Sequence, residues 1–474
     1  MARASLRLAI VLLPLGLAAG CSQIPDFMRP DLSLPGAYAE GPGTAAVWPG
    51  RDWWRGFGSP KLTDLIEAAE RNNNDIGAAA ARVLQADAQL RISGASLLPT
   101  VNGSLDASRS FDIAKSGGQR ETAHSDSVGL GFSASYALDF FGRNAAAIAS
   151  AKASAVVSRF DAETVRLTVL ANVGSAYFRV IQFGDRLDVA RRNLANSERV
   201  LAIVQSRVRN GAASPLDLAQ QQASIAAQRA AIPALELQAD QAAHALAILI
   251  GTYPGNLARS AGSLLDIRPP SLAPGLPSEL LNRRPDVQAA EWRLAGADAD
   301  IGAARAVFFP SIDLTVSYNR NAPSIPALFD PLSAGYALAT GLAQPIFRGG
   351  ALKGGVERAQ ARRGELVESY RQTILTALGD VEDAMTAVRL SALQETLQAE
   401  AVAQAGLAFR LAETRYREGA VDLLTVLDAQ RSLNSAADQL VQVRFTRLNS
   451  VVSLYKALGG GWRLPPGMSP GELS

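Results

Sequence analysis

Glu418-Gly419-Ala420-Val421-Asp422 interrupts a helical pattern that otherwise runs from Gly350 to Leu458, and the reading of that interruption decides the fold. Between Gly350 and Glu418 there is no proline and few glycines, while alanine, glutamate, glutamine, arginine and leucine predominate. All five lose little on entering a helix. A helix of about 69 residues is a rod roughly 100 Å long, several times the width of a small domain. In the returning arm Val426, Leu433 and Leu440 recur at intervals of seven, as do Leu427, Val441 and Leu448 with Asn434 in the one gap. That spacing is the seam of helices packed lengthwise. Gly419 stands where a left-handed residue ends a helix, and Asp422 where a carboxylate caps the next.

The same plan occurs about 208 residues earlier, where a long helix from Gly142 breaks at Asn210-Gly211-Ala212-Ala213-Ser214 and returns to Gly251. Ser214-Pro215-Leu216-Asp217 supplies an N-cap serine, a proline at the first helical position and a carboxylate at the third. The chain therefore reads as a tandem duplication. The first repeat covers 61–251, a Pro/Gly-rich linker 252–277, the second repeat 278–459 and a short tail 460–474. Pro99 and Pro310 mark matching junctions, as do Phe141 and Phe347.

After each of these prolines the period changes to two. Val101, Leu105 and Ala107 alternate with Asn102, Ser104 and Asp106, and Val128, Leu130, Phe132, Tyr136 and Leu138 alternate with Gly129, Gly131, Ser133 and Ser135. In the second repeat Ile312, Leu314, Val316 and Tyr318 alternate with Asp313, Thr315 and Ser317, and Tyr336, Leu338, Thr340 and Leu342 with small residues. These are strands with one apolar face and one wet face. A water-soluble sheet resting on a core has that pattern, and so do transmembrane barrel strands, which turn apolar residues to lipid and polar ones to a lumen. On the barrel reading Val128, Leu130, Phe132, Leu138, Leu314 and Val316 face lipid. Four strands cannot close a barrel, since known examples start at about eight and no edge is left open in lipid. Several chains must then share one. The helices contain no apolar run of 18 residues, so they extend away from the membrane instead of crossing it.

Arg3 and Arg7 precede an apolar run from Leu8 to Ala19, too short for a mature span, so residues 1–20 read as a secretory signal. The run ends in Leu17-Ala18-Ala19-Gly20-Cys21. This resembles the lipobox of bacterial lipoproteins, with Ala18 where leucine is usual, and makes Cys21 the expected lipidation site; an ordinary buried thiol is the alternative. Cys21 is the only cysteine, which excludes an intramolecular disulfide. Ser22 in place of an acid favours the outer membrane in such lipoproteins. Residues 21–60, with Trp48, Trp53 and Trp54, read as an extended strap over the body, and one alanine-rich helix is predicted from Lys61 to about Leu98. The formal charge is +2 and no basic run interleaves with aromatics, so nucleic-acid binding has no support. The two histidines, His124 and His244, are isolated, and neither Gly349-Gly350 nor Gly459-Gly460-Gly461 follows a phosphate-cradle spacing. No enzyme activity, metal or cofactor is expected.

Trp53-Trp54-Arg55, Arg283-Arg284-Pro285-Asp286-Val287 with Glu291, Phe309-Pro310, Gln344-Pro345-Ile346-Phe347, Arg415-Tyr416-Arg417-Glu418-Gly419, Leu427-Asp428-Ala429-Gln430 and Tyr455-Lys456-Ala457-Leu458-Gly459 occur in that order. As an ordered set covering the whole chain, they resemble the outer-membrane factors of tripartite efflux pumps, in the lipoprotein branch of OprM- and NodT-like proteins, with TolC more distant. The resemblance implies an α+β membrane protein. It would be a homotrimer whose pooled strands form one transmembrane β-barrel, continuous with a long periplasmic α-helical barrel. It implies a periplasmic adaptor docked at the tips around Gly211, Ser214, Gly419 and Asp422, and an inner-membrane transporter of the resistance-nodulation-division class that selects the cargo. It also implies a periplasmic gate at Leu424, Asp428 and Arg431; by spacing alone these three share one helix face, as any solvated ion pair does. A structural coiled-coil lipoprotein would explain the rods but not the strands, and a protein-secretion conduit is the other channel reading.

Overall fold

The computed structural model describes residues 23–32, 34–39, 48–116, 119–257, 262–270 and 275–465. The expected signal segment, Cys21, Ser22 and most of the tail lie outside them. In chain order the elements are α1 (Pro60–Asn72), α2 (Asn74–Gly94), β1 (Thr100–Ser116), β2 (Gln119–Leu138), α3 (Arg143–Arg209), α4 (Pro215–Leu249), α5 (Pro277–Leu280), α6 (Pro285–Ala306), β3 (Ser311–Ala322), β4 (Ala334–Ala343), α7 (Ala351–Arg417) and α8 (Leu423–Ala457). Helices α3 and α7 have 67 residues each, about 100 Å of rod, and each returns through a helix of 35 residues. No helix among the described residues is long and apolar enough to cross a membrane.

One expectation needs correction. The single helix predicted from Lys61 to about Leu98 is two, because Asn73 turns extended (φ −68°, ψ 127°) and its side chain caps a new start by accepting from Asp75 N and Ile76 N. No proline marks that break, so the helical pattern runs through it undisturbed. The second repeat makes the same break openly: Arg284 is extended (φ −106°, ψ 120°) before Pro285 begins α6. Each breaker then reaches the end of its own repeat's returning helix, Asn73 Nδ2 donating to Leu249 O at 2.8 Å and Arg284 Nη1 to Ala457 O at 3.3 Å. Left-handed Gly251 (φ 70°) and Gly459 (φ 83°) end those helices, each pressed against the backbone carbonyl of Asn72 or Arg283. The duplication thus reaches the level of single hydrogen bonds.

The four strands form one antiparallel sheet in the order β1-β2-β3-β4, so β2 and β3 join the two repeats. Register sets Val101, Ala134, Val316 and Leu338 in one row and Ser104, Gly131, Asn319 and Gly335 in another. Opposed residues point to the same side of a sheet, so the first row is apolar and the second small or polar. A Cβ on Gly131 would lie 2.8 Å from Ser104 Oγ and 3.0 Å from Asn319 Oδ1, so glycine there makes room for its polar neighbours. The apolar run on β3 passes through Ile312, Leu314, Val316 and Tyr318 and stops at Arg320, whose Nη1 donates to Leu328 O at 3.0 Å. Leu130 is opposite Arg320 and so sits at the edge of this run, whereas Val316 lies inside it.

The main core girdles the middle of the rods, not their ends. Trp53, Trp54, Phe57, Leu62 and Ile66 pack on Val173, Phe178 and Ile181 of α3, Leu246 of α4, and Val452 and Tyr455 of α8. Trp53 stacks on Tyr455 with ring centroids 4.9 Å apart, which makes the aromatic segment before α1 a clamp on both hairpins. The strap covers the neighbouring core of Leu280, Val287, Tyr370, Ile374 and Leu454 with Tyr38. Trp48 lies under the Arg283 guanidinium at 4.1 Å.

Candidate conduit wall and closing tip

Helices α2, α3, α6 and α7 pack side by side in that order as an arc. The strap lies on one side of it: Ile24 abuts Gly302 and Arg29 is paired with Glu291, both on α6. A cavity of about 600 Å³ is lined at mid-height by Thr164, Thr168, Asp380, Asp383, Asn449 and Lys456. Hydroxyls, an amide and both signs of charge line it together with Leu167, Ala384 and Phe445, a mixed polar and apolar wall.

Among the described residues the hairpins also carry exposed heptad ladders. On α7, Leu390, Leu393, Leu397, Leu407 and Leu411 occupy a and d positions and are all exposed. On α4 the exposed set is Leu216, Ala223, Ala230, Leu237 and His244, one every seven residues. A leucine ladder can seat its side chains over the gap that Ala223 and Ala230 leave between Leu216 and Leu237.

At the far end of the rods Gly211 (φ 72°) and Gly419 (φ 81°) take the left-handed turn, with Ala212 N donating to Arg207 O and Ala420 N to Arg415 O, both at 2.8 Å. Ser214 forms a reciprocal capping box with Asp217. Asp422 accepts from Thr425 N at 2.9 Å, and hydrogen bonds from Thr425 hold its carboxyl below the usual carboxylate range. The two turns are tied together by groups that sequence reasoning missed. Arg207 donates to Tyr416 O and to Ala212 O, its guanidinium lying 4.7 Å over the Tyr416 ring, and Arg199 forms two 3.1 Å bonds to Glu413. Beneath them Val200, Val204, Phe409, Tyr416, Leu423 and Val426 form a core of their own. Buried Ser197, Gln221 and Gln430, from three helices, share hydrogen bonds above it. Leu424, Asp428 and Arg431 lie together on the opposite, exposed face of α8, where Arg431 donates to Asp428 of the same chain. Among the described residues that ion pair lies open, its side chains 71% and 60% exposed.

Residues 65–252 and 276–460, one segment per repeat, match the sequence profile described as outer membrane efflux protein. The chain belongs to that family. Among curated members of the outer membrane efflux protein family, it is 41% identical to the pyoverdine export outer membrane protein OpmQ of Pseudomonas putida, over 96% of this chain and 97% of that one. It is 32% identical to the cation efflux system protein CusC of Escherichia coli, over 94% and 96%. Among solved structures it superposes on the open state of the Neisseria gonorrhoeae MtrE outer membrane channel with a TM-score of 0.83 at 30% identity, covering 93% of this chain and 98% of that one.

Proposed function

We propose that this chain is the exit duct of a tripartite efflux pump: a homotrimer whose pooled strands form one outer-membrane barrel above a periplasmic helical tunnel. The observation that carries the reading is the single sheet with one apolar and one small-polar face, set on two 100 Å hairpins in a chain of the efflux family. β1 and β4 each have one strand partner, and an open edge in lipid leaves a row of backbone groups unbonded. Pairing β4 of one copy with β1 of the next removes both edges. The leucine ladder of α7 meeting the ladder of α4 around Ala223 and Ala230 in the next copy extends that closure down the rods. The two repeats, 61–251 and 278–459, then form one wall, with strap 21–60 and linker 252–277 outside. Cys21 is proposed to carry lipid; only Ser22 separates it from the described strap, which begins beside the sheet-proximal half of α6. Cys21→Ser is expected to abolish labelling by a palmitate analogue, and unchanged labelling would refute the anchor.

An adaptor docks at the turns around Gly211, Ser214, Gly419 and Asp422, and an inner-membrane transporter supplies energy and selects cargo. Relatives named for pyoverdine and for cations on one fold agree with selection outside the duct. Three copies of Leu424 and Asp428 would narrow and charge the tip. Asp428→Ala with Arg431→Ala is expected to raise single-channel conductance in planar bilayers and lower cation preference. Wild-type conductance and selectivity in the double variant would show that the tip is closed elsewhere. For the barrel, Val316→Arg is expected to cost about 2–4 kcal/mol of assembly, as for a charge at mid-bilayer, whereas Leu130→Arg at the edge beside Arg320 costs about 1 kcal/mol. Ser133→Arg, on the small-polar face, costs least. Equal trimer yields from the three variants would rule out a lipid-facing apolar row.

A further inference from the structure

Just below the sheet a second cavity, of about 810 Å³, is lined by all four helices of the arc, α2, α3, α6 and α7. Four consecutive helices share one cavity only on the inside of their curve. On α6 its lining includes Asp300, 200° around the helix from the strap contact Gly302 at 100° per residue. Ala147, Ala297, Ala304 and Ala359 give it a small apolar floor, and its rim carries Arg143 from α3 with Arg358 and Arg362 from α7 against the one acid, Asp300. Arg362 is paired with Glu365. Arg143 and Arg358 form no ion pair or hydrogen bond among the described residues. Above, Asp139 and Asp313 line a neighbouring cavity with Arg143, and Asp139 already accepts from Ala145 N at 2.7 Å. Arg159 is paired with Asp87 and Arg293 with Asp161; what sets Arg143 and Arg358 apart from other arginines of these helices unpaired among the described residues, such as Arg82 and Arg192, is that both line one cavity. Two unmatched guanidinium groups converging on one cavity from different repeats therefore have no structural partner of their own.

We propose that Arg143 and Arg358 form an anion-binding collar at the top of the conduit. It would take a small solute in transit that presents carboxylate, sulfonate or phosphate oxygens to the arginines and an apolar body to the alanine floor. The assignment rests on the channel reading above, which makes this side the lumen. Guanidinium forks match such oxygens in pairs, and a narrow, partly apolar wall strengthens the attraction. A bilayer headgroup is disfavoured as occupant because the strap, not this wall, lies on the side away from the passage. Weak capture near the exit draws anions upward and still lets them leave.

The test uses the purified full chain in detergent and a sulfonated dye, 8-hydroxypyrene-1,3,6-trisulfonate, with binding read by fluorescence anisotropy. Arg143→Gln with Arg358→Gln is expected to weaken binding about tenfold or more, and Arg71→Gln on α1 to leave it unchanged. Absence of binding to the wild type, equal binding by the double variant, or equal weakening by Arg71→Gln would each overturn the collar. Ala147→Cys separates this from failure of the channel reading. An impermeant maleimide added outside intact cells should label it, and the dye should slow that labelling. Labelling that the dye does not slow leaves the channel and removes the collar. No labelling at all removes the lumen, and the channel reading falls with it.

Discussion

Gly459→Ala is expected to destabilise the protein by about 4 kcal/mol, at the upper end of single-substitution effects. Its φ of 83° alone costs a non-glycine residue about 1–2 kcal/mol. The larger part is overlap, because a Cβ there would run into the carbonyl oxygen of Arg283. That peptide has nowhere to go. The adjoining Arg284 is fastened to Asp286 at 2.6 Å, to Asp380 at 2.9 Å and to Ala457 O at 3.3 Å. Gly251→Ala should behave alike, since its Cβ would meet Asn72 O in the first repeat. Gly211→Ala is the control: the same left-handed geometry (φ 72°) with nothing within 4 Å of the added atom, so only the conformational cost of about 1–2 kcal/mol applies. Denaturant midpoints of the three variants in detergent decide it. Equal losses for Gly459→Ala and Gly211→Ala would mean that the contact with Arg283 contributes nothing.

That glycine also shows what was legible in the chain. The rods, their turns and the strand faces follow from local periodicity and from Gly and N-cap chemistry at Gly211, Ser214, Gly419 and Asp422, all of which act within a few residues. The break at Asn73 was not legible in its own repeat, because asparagine caps a helix without interrupting the pattern around it. Aligning the repeats would have exposed it, since Asn73-Asn74 corresponds to Arg284-Pro285. Register was not legible either: alternation assigns Leu130 to a face but cannot say that Arg320 stands beside it. At the tip, Arg199 with Glu413 and Arg207 with Tyr416 are partners from opposite repeats. Nothing in the spacing around either residue points that far along the chain. Leu424, Asp428 and Arg431 were found through resemblance, and the single chain shows only that they share an exposed face.

Arg29→Ala should cost about 3 kcal/mol, although Arg29 itself is 47% exposed, because its partner Glu291 is only 1% exposed. Arg29 Nε and Nη2 hold Glu291 Oε1 at 2.9 and 2.7 Å, Nη2 also reaches Oε2 at 2.9 Å, and Gln288 Nε2 adds a weaker bond at 3.3 Å. That carboxylate lies in a buried core beside Tyr370. Burial, followed by the Glu291 charge, pushes the neighbouring Tyr370 hydroxyl up to about 12, and its oxygen has no hydrogen-bond partner among the described residues. Removing the guanidinium leaves a buried charge with one amide for company, and the strap loses a principal tie to α6. Arg293→Ala is the comparison, since that arginine pairs with a half-exposed Asp161 and its loss should cost less than about 1 kcal/mol. Arg29→Ala combined with Glu291→Gln should recover much of the loss, because the damage lies in the stranded charge more than in the missing contact. Thermal midpoints and the rate of proteolytic release of the strap report on both parts. If Arg29→Ala and Arg293→Ala lose the same small amount, or the second substitution restores nothing, then the strap is held by Tyr38 and the tryptophans alone.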